Sequence, residues 1–410
     1  MSHRRSLVNS RRVRTVLAAI VATVTPLVAF ATPASAASFT TGNVVVCRVG
    51  DGTSSLVNTG SPVFLDEFTP AGALVQSIAL PTAAVGSNRA FWLSGTATSE
   101  CELTRSTDGR YLLLTGYERT DAGGVAGTTS AAVNRVVARV DATGAIDTTT
   151  ALNDFASANN PRSVISDNGT NLWLGGAAGS PRYATLGATT STQISTTVTN
   201  LRQVNIFNGQ LYTSTSSGSA VRVGTIGSGT PTTTGQTITN LPGFPTSGSP
   251  YSYFFADLSA AVAGLDTLYV AEDTTSGGQI QKYSLVSGSW VARGSITASA
   301  VRGLTGVVSG TTVTLYATTG GSGATGGGTL YNVTDATGYN VNASGSATSI
   351  NTATINKAYR GVALAPTATP DQVVPEVPLA VLLSLSALLL TGGGYMAARR
   401  WRLVEARANS

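Results

Sequence analysis

Five arginines recur through the middle of this 410-residue chain: Arg105, Arg162, Arg202, Arg302 and Arg360. The intervals are 57, 40, 100 and 58 residues, and inside the doubled interval aromatics stand near Tyr253 instead. A guanidinium offers five N–H donors in a rigid fork. Several that converge can hold a carboxylate or phosphate bidentately. Repetition once per structural unit also suits a plainer role, in which each arginine ties neighbouring units through backbone carbonyls or a carboxylate. The sequence leaves both roles open.

Other residue types narrow the chemistry. The chain has a single histidine, His3, in its first few residues. The body therefore has no Ser-His-Asp triad, no histidine base and no histidine metal ligand. Glu118, Glu272 and Asp273, with Glu100 and Glu102, could bind calcium or act as acid and base. Calcium needs roughly six to eight oxygens, and no Asp-x-Asp-x-Asp run supplies them. Solvated loop acids are the plainer reading. Tyr251, Tyr253, Phe244 and Trp92 could stack on sugar rings or anchor loops in a core. The glycine-rich stretch 320–328 lacks the lysine and following helix of a phosphate loop, and reads as a surface loop between strands.

These residues must be positioned by a repeated element. A turn and a second strand follow, the strand usually ending in Leu-Trp or Leu-Tyr: Leu172-Trp173 after Arg162, Leu211-Tyr212 after Arg202, Leu268-Tyr269 after Tyr253 and Leu315-Tyr316 after Arg302. Turns repeat as well, as Asp141-Ala142-Thr143-Gly144, Asp335-Ala336-Thr337-Gly338 and Thr69-Pro70-Ala71-Gly72. The unit length suits a four-stranded propeller blade. Only one strand follows Arg360, at 361–365. Three precede Glu100, at 43–49, 63–68 and 74–80. One plus three completes a sixth blade and removes the open sheet edges. The expected fold is an all-β, six-bladed propeller over 37–366, or a seven-bladed one if 224–250 hides a further blade. By strand order the five arginines, the acids and the loop 241–253 meet at the channel mouth, on the face of the fourth-to-first and second-to-third connections.

The two ends read differently from the body. Residues 1–36 carry five arginines, an apolar run at 16–30 and Ala34-Ser35-Ala36, the pattern of a cleaved export signal. Ser10-Arg11-Arg12 resembles a twin-arginine signal, but Arg14 and Thr15 fit general secretion better. Residues 377–398 contain no charge and are long enough to span a bilayer. A linker, 367–376, precedes them. Arg399, Arg400 and Arg402 open a basic tail, 399–410, that places the body outside. Between residues 37 and 370 lie 16 basic and 17 acidic side chains, so the chain's formal +5 belongs to its ends. A nucleic-acid partner loses its electrostatic support. Cys47 and Cys101, the only cysteines, would pair in an oxidising exterior.

Val374-Pro375-Glu376-Val377-Pro378, the apolar span and the arginine cluster resemble the C-terminal sorting signal of PEP-CTERM proteins, which an exosortase-type enzyme recognises. Valine interrupts the expected Pro-Glu-Pro, and a plain stop-transfer helix fits the same residues. Across the body, Phe64-Leu65-Asp66-Glu67-Phe68, Arg202-Gln203-Val204, Leu241-Pro242-Gly243-Phe244 and Arg302-Gly303-Leu304-Thr305-Gly306 resemble bacterial secreted propellers of unassigned role. That resemblance implies an extracellular six-bladed fold and supplies no catalytic residues. The expectation is an envelope-anchored, non-catalytic binding or structural protein, contacting a glycan, a small anion or another surface protein. The alternative is a calcium-dependent hydrolase of phytase-like or lactonase-like type.

Overall fold

The computed structural model describes residues 37–119, 121–273, 279–321 and 323–368. The expected signal (1–36), membrane segment (377–398) and basic tail (399–410) lie outside them, as does the linker after its first two residues. Among the described residues no helix is long and apolar enough to cross a membrane.

Threonine, valine and glycine dominate the body, and they build short strands joined by tight turns. Blade 1 runs from its inner strand Thr104–Arg105 through Tyr111–Tyr117 and Arg135–Asp141 to its outer strand Ile146–Leu152. Blade 2 is Pro161–Ile165, Asn171–Gly176, Arg182–Thr185 and Thr192–Gln193. Blade 3 is Val204–Phe207, Gln210–Ser214, Val223–Ile226 and Ile238–Asn240. Blade 4 is Pro250–Ala256, Thr267–Glu272, Gln279–Val286 and Ser289–Thr297. Blade 5 is Val301–Ser309, Thr312–Thr319, Thr329–Asp335 and Thr348–Thr352. Blade 6 takes its inner strand, Lys357–Leu364, from the C-terminal side. Its other three, Val44–Val49, Val63–Phe68 and Leu74–Ala79, come from the N-terminal side. All neighbours within a blade pair antiparallel. The ring is six-bladed: the stretch 224–250 supplies the outer strands of blade 3 and the approach to blade 4, so the seven-bladed alternative is excluded.

Burial explains the sequence pattern. A blade packs on both faces, so its second strand buries successive residues rather than alternate ones. Leu172, Trp173 and Leu174 are all buried, as are Leu268, Tyr269 and Val270. The Leu-aromatic pairs lie inside the second strands and not at their ends, because the aromatic fills the seam to the next blade. Repeated Asp-Ala-Thr-Gly turns are closed by their aspartates. Asp141 Oδ1 accepts the N–H groups of Thr143 and Ala145 at 2.8 and 3.0 Å, and Gly144 takes φ of 80°. Asp335 also accepts Lys282 Nζ at 2.8 Å, a fully buried pair joining blades 4 and 5.

One expectation needs adjustment and another is met. The glycine-rich stretch 320–328 is not a free surface loop. Gly326–Gly327 pairs parallel to Lys357–Ala358, adding a short strand beside the inner strand of blade 6. A Cβ at Gly326 would fall 2.0 Å from the Lys357 carbonyl oxygen, so glycine is required there. Cys47 and Cys101 are joined as a disulfide, Cα to Cα 6.5 Å, linking the second strand of blade 6 to the approach of blade 1.

Candidate functional site

The inner strands stand side by side around the axis and run in one direction. Cross-blade bonds fix their register. Glu102 N donates to Arg162 O at 2.9 Å, and Gly361 N to Cys101 O at 2.9 Å. Ser163 Oγ donates to Arg202 O at 2.7 Å, and Tyr253 N to Gln203 Oε1 at 3.1 Å. One layer of the ring is therefore Cys101, Arg162, Arg202, Tyr251, Arg302 and Arg360. The next is Glu102, Ser163, Gln203, Ser252, Gly303 and Gly361. Gly361 lets blade 6 approach blade 1, since a Cβ there would meet Leu103 N at 2.2 Å.

Four of the five repeat arginines belong to this layer, and each ties its blade to a neighbouring segment. Arg162 Nη1 donates to Asn200 Oδ1 at 2.7 Å and Leu201 O at 2.9 Å. Arg202 Nη1 donates to Ser249 Oγ at 2.9 Å and Pro250 O at 2.8 Å. Arg302 binds Asp273 Oδ2 through Nε at 3.1 Å and Nη2 at 2.7 Å, and also bonds Thr98. Arg360 is buried, bonds Gly321 O, and donates to Tyr359 O and Gly95 O, both at 3.1 Å. Burial holds the Arg360 guanidinium down at about 10. The interblade role is thus real, but it does not use every donor. Arg162 Nη2 and Arg202 Nε and Nη2 make no hydrogen bond among the described residues, and both side chains are partly exposed.

Arg105 is not part of this layer. Glu102 bridges Ser163 in parallel, so the counterpart of Arg162 in blade 1 is Cys101. Arg105 lies four residues farther along, near the other end of the channel, and donates to Ala365 O at 3.3 Å. The sequence held a signal for this. Each layer member is followed two positions later by a buried apolar or aromatic residue: Leu103, Val164, Val204, Tyr253, Leu304 and Val362. Arg105 is followed there by exposed Thr107.

The tyrosines are also redistributed. Tyr251 is buried, with the Arg202 and Arg302 Cζ atoms 3.7 and 4.6 Å from its ring centroid. It is a platform for guanidiniums rather than for sugars. Tyr253 is buried at the other end, packed on Phe207 and Phe255 at 6.0 Å between centroids. Phe244 packs on Tyr283 in the core, and the Trp92 indole donates to Thr82 O.

Among the acids, Asp273 joins the arginines through Arg302. Glu272 is buried, accepts Ser249 N, and is raised in pKa chiefly by that burial. Glu118 pairs with Arg89 at 3.2 Å and Asn134 at 2.7 Å in blade 1, away from the arginine layer. Glu102, grouped with the other candidate acids in the sequence, is buried in the layer next to the arginines. Its Oε2 accepts Ser252 Oγ at 2.6 Å, a bond from blade 1 to the opposite blade 4 that crosses the axis. Burial pushes its carboxyl up to about 7, opposed by Ser252, Arg302, Arg202 and Arg162. Glu100 is likewise buried and raised, held by Tyr117, Asn160 and the Ser94 N–H. No three His, Cys, Asp or Glu side chains among the described residues form a set that could hold a metal ion.

No family model matches the chain, and no curated protein matches it. Solved structures do. A 6-phosphogluconolactonase-like protein of Bacteroides uniformis is 15% identical, with a TM-score of 0.42, over 75% of this chain and 82% of that one. TolB of Acinetobacter baumannii is 10% identical, TM-score 0.43, over 80% and 67%. YCF48 bound to a D1 peptide is 13% identical, TM-score 0.38, over 78% and 88%. The six-bladed closure itself rests on the strand order above.

Proposed function

We propose that this chain is an exported, envelope-held binding protein whose arginine mouth takes a small anionic ligand, such as a sugar acid or phosphate ester, without turning it over. The observation carrying this reading is the donor inventory at the mouth. Arg162 and Arg202 each spend one terminal nitrogen on the scaffold and hold others free of any bond within the described chain. Those donors sit where like charges crowd: Arg162 and Arg302 both lower the Arg202 pKa, after the larger effect of burial. An anion relieves that crowding and accepts the spare donors bidentately. The hydrolase alternative lacks comparable support, because the acids it would use are divided between Arg302, Ser249, Arg89 and the Ser252 bond.

The path of the chain suits such display. Thr367 N donates to Gly109 O at 2.8 Å, so the last described residues leave beside the inner-to-second turn of blade 1. That turn is on the face opposite the arginines. An anchor following it holds the arginine mouth outward.

Titration calorimetry of the full-length chain with galacturonate and glucose 6-phosphate tests the site. Saturable binding that weakens with salt, and falls at least about tenfold in Arg202→Ala while the variant stays folded with only a slightly lowered melting temperature, is expected. Wild-type affinity in both Arg202→Ala and Arg162→Ala refutes it. Protease added to intact cells should degrade the body; a protected body beside a protected cytosolic marker refutes the orientation.

A further inference from the structure

We infer that the ring has a second, independent small-molecule site at its other mouth, and that this site takes a neutral saccharide. Immediately past the Glu102–Ser252 bond lies a cavity of about 610 Å³, lined from the inner strands of blades 1, 3, 4, 5 and 6 and the turns that follow those of blades 1, 3 and 4. That is within the range of roughly 300–1,000 Å³ typical of ligand pockets. The bond across the axis separates it from the arginines, so the two mouths are distinct compartments.

The wall chemistry selects the ligand class. Phe207 and Phe254 line the cavity and meet edge to face, their centroids 6.2 Å apart. Both are only partly buried, unlike Tyr253, which also borders the cavity, and Phe255. Gly306 leaves room for Phe254, since a Cβ there would come within 2.8 Å of its ring. Two partly exposed aromatic rings lining the cavity suit the C–H face of a pyranose ring. Polar groups stand around them. Asn205 uses its Oδ1 on Ile206 N at 2.9 Å, and its Nδ2 makes no hydrogen bond among the described residues. Thr305 Oγ1 makes none either, and Gln203 bonds Tyr253 N only through its Oε1. These are neutral donors, suited to hydroxyl oxygens. Arg105 and Asp257 add one charge of each sign to the lining, so the site has no net preference for an ion. An aromatic platform beside amide and hydroxyl side chains can serve sugar hydroxyl groups as both donor and acceptor.

The test is calorimetry of the full-length chain with glucose, galactose, mannose, N-acetylglucosamine and cellobiose, with and without saturating galacturonate. At least one neutral saccharide should bind saturably, and galacturonate should not displace it. Asn205→Leu and Phe254→Ala should each weaken it about tenfold. Thr305→Val, which keeps the side-chain shape, should weaken it about threefold and guards against a folding defect in the larger changes. Three results overturn the inference: no saturable binding by any of the five sugars, displacement by galacturonate, or full affinity in both Asn205→Leu and Thr305→Val.

Discussion

The two mouths of the ring are made by the same six strands, a few residues apart, yet they solve opposite problems. At the arginine mouth the strands begin, and their side chains must hold the blades together. There the layer is charged, crossed by interblade hydrogen bonds and fastened by the Cys47–Cys101 disulfide. At the other mouth the strands lead into turns, the blades splay, and an aromatic cavity remains. The difference teaches that a residue repeated once per blade serves the ring first. The two proposed ligand sites fall where a repeat leaves donors over, at Arg162 and Arg202, and where repetition stops, at Phe207 and Phe254.

The comparison can be broken most forcefully at the covalent lock. Cys47 and Cys101 are 54 residues apart, and closing a loop of that size stabilises by about 4 kcal/mol on the chain-entropy model. Cys47→Ser with Cys101→Ser should lose about that much in urea unfolding. A loss near zero would show that the arginine end is not the fastened end.

Within the arginine layer, burial should separate structural from recognition roles. Arg360 is 2% exposed and holds carbonyl oxygens of three residues. Arg360→Ala leaves those acceptors and nearby Glu100 without it, and should cost about 3 kcal/mol. Arg202→Ala, partly exposed, should cost about 1 kcal/mol and act mainly on anion affinity. Equal stability losses in the two variants would erase the distinction.

These contrasts also show what the sequence could reveal. Blade number and closure were legible because turn chemistry, strand length and the Leu-aromatic pairs repeat, and because one strand after Arg360 complements three before Glu100. Repetition pointed toward an interblade role for the arginines but left a ligand role open beside it. The grouping of Arg105 with the others was not correct, since a bulge-free count from arginine to arginine ignores strand register. Following the apolar residue two positions later identifies Cys101 instead. The Glu102–Ser252 bond spans 150 positions of sequence. No local pattern reports a contact across a ring. The aromatic mouth was hidden for a similar reason: Phe207, Phe254 and Thr305 each come from a different blade.

The smallest expected effect concerns Glu102, which lies between the two mouths. Its carboxyl is raised from an ordinary 4.5 to about 7, mainly by burial. The folded chain therefore holds this proton where the unfolded chain has released it. This group's contribution to stability is full below about 4.5 and is lost as pH rises through about 7. Anion binding should move the same way. Ser252, Arg162, Arg202, Arg302 and Arg360 face Glu102, and protonation removes the negative charge that offsets those guanidiniums. Galacturonate, whose own carboxyl stays ionised throughout, should bind several-fold more tightly at pH 6 than at pH 8, by roughly 1 kcal/mol. Glu100 is raised in the same direction, so the wild-type slope alone does not assign the effect. Glu102→Gln does. The amide keeps the shape and can still bond Ser252, but it carries no charge at any pH. Its affinity should be flat from pH 6 to pH 8 and equal to the wild type's low-pH value. The neutral saccharide at the other mouth should be indifferent to the same change. A wild-type slope that survives in Glu102→Gln would assign the titration to Glu100 and leave the two mouths electrically uncoupled.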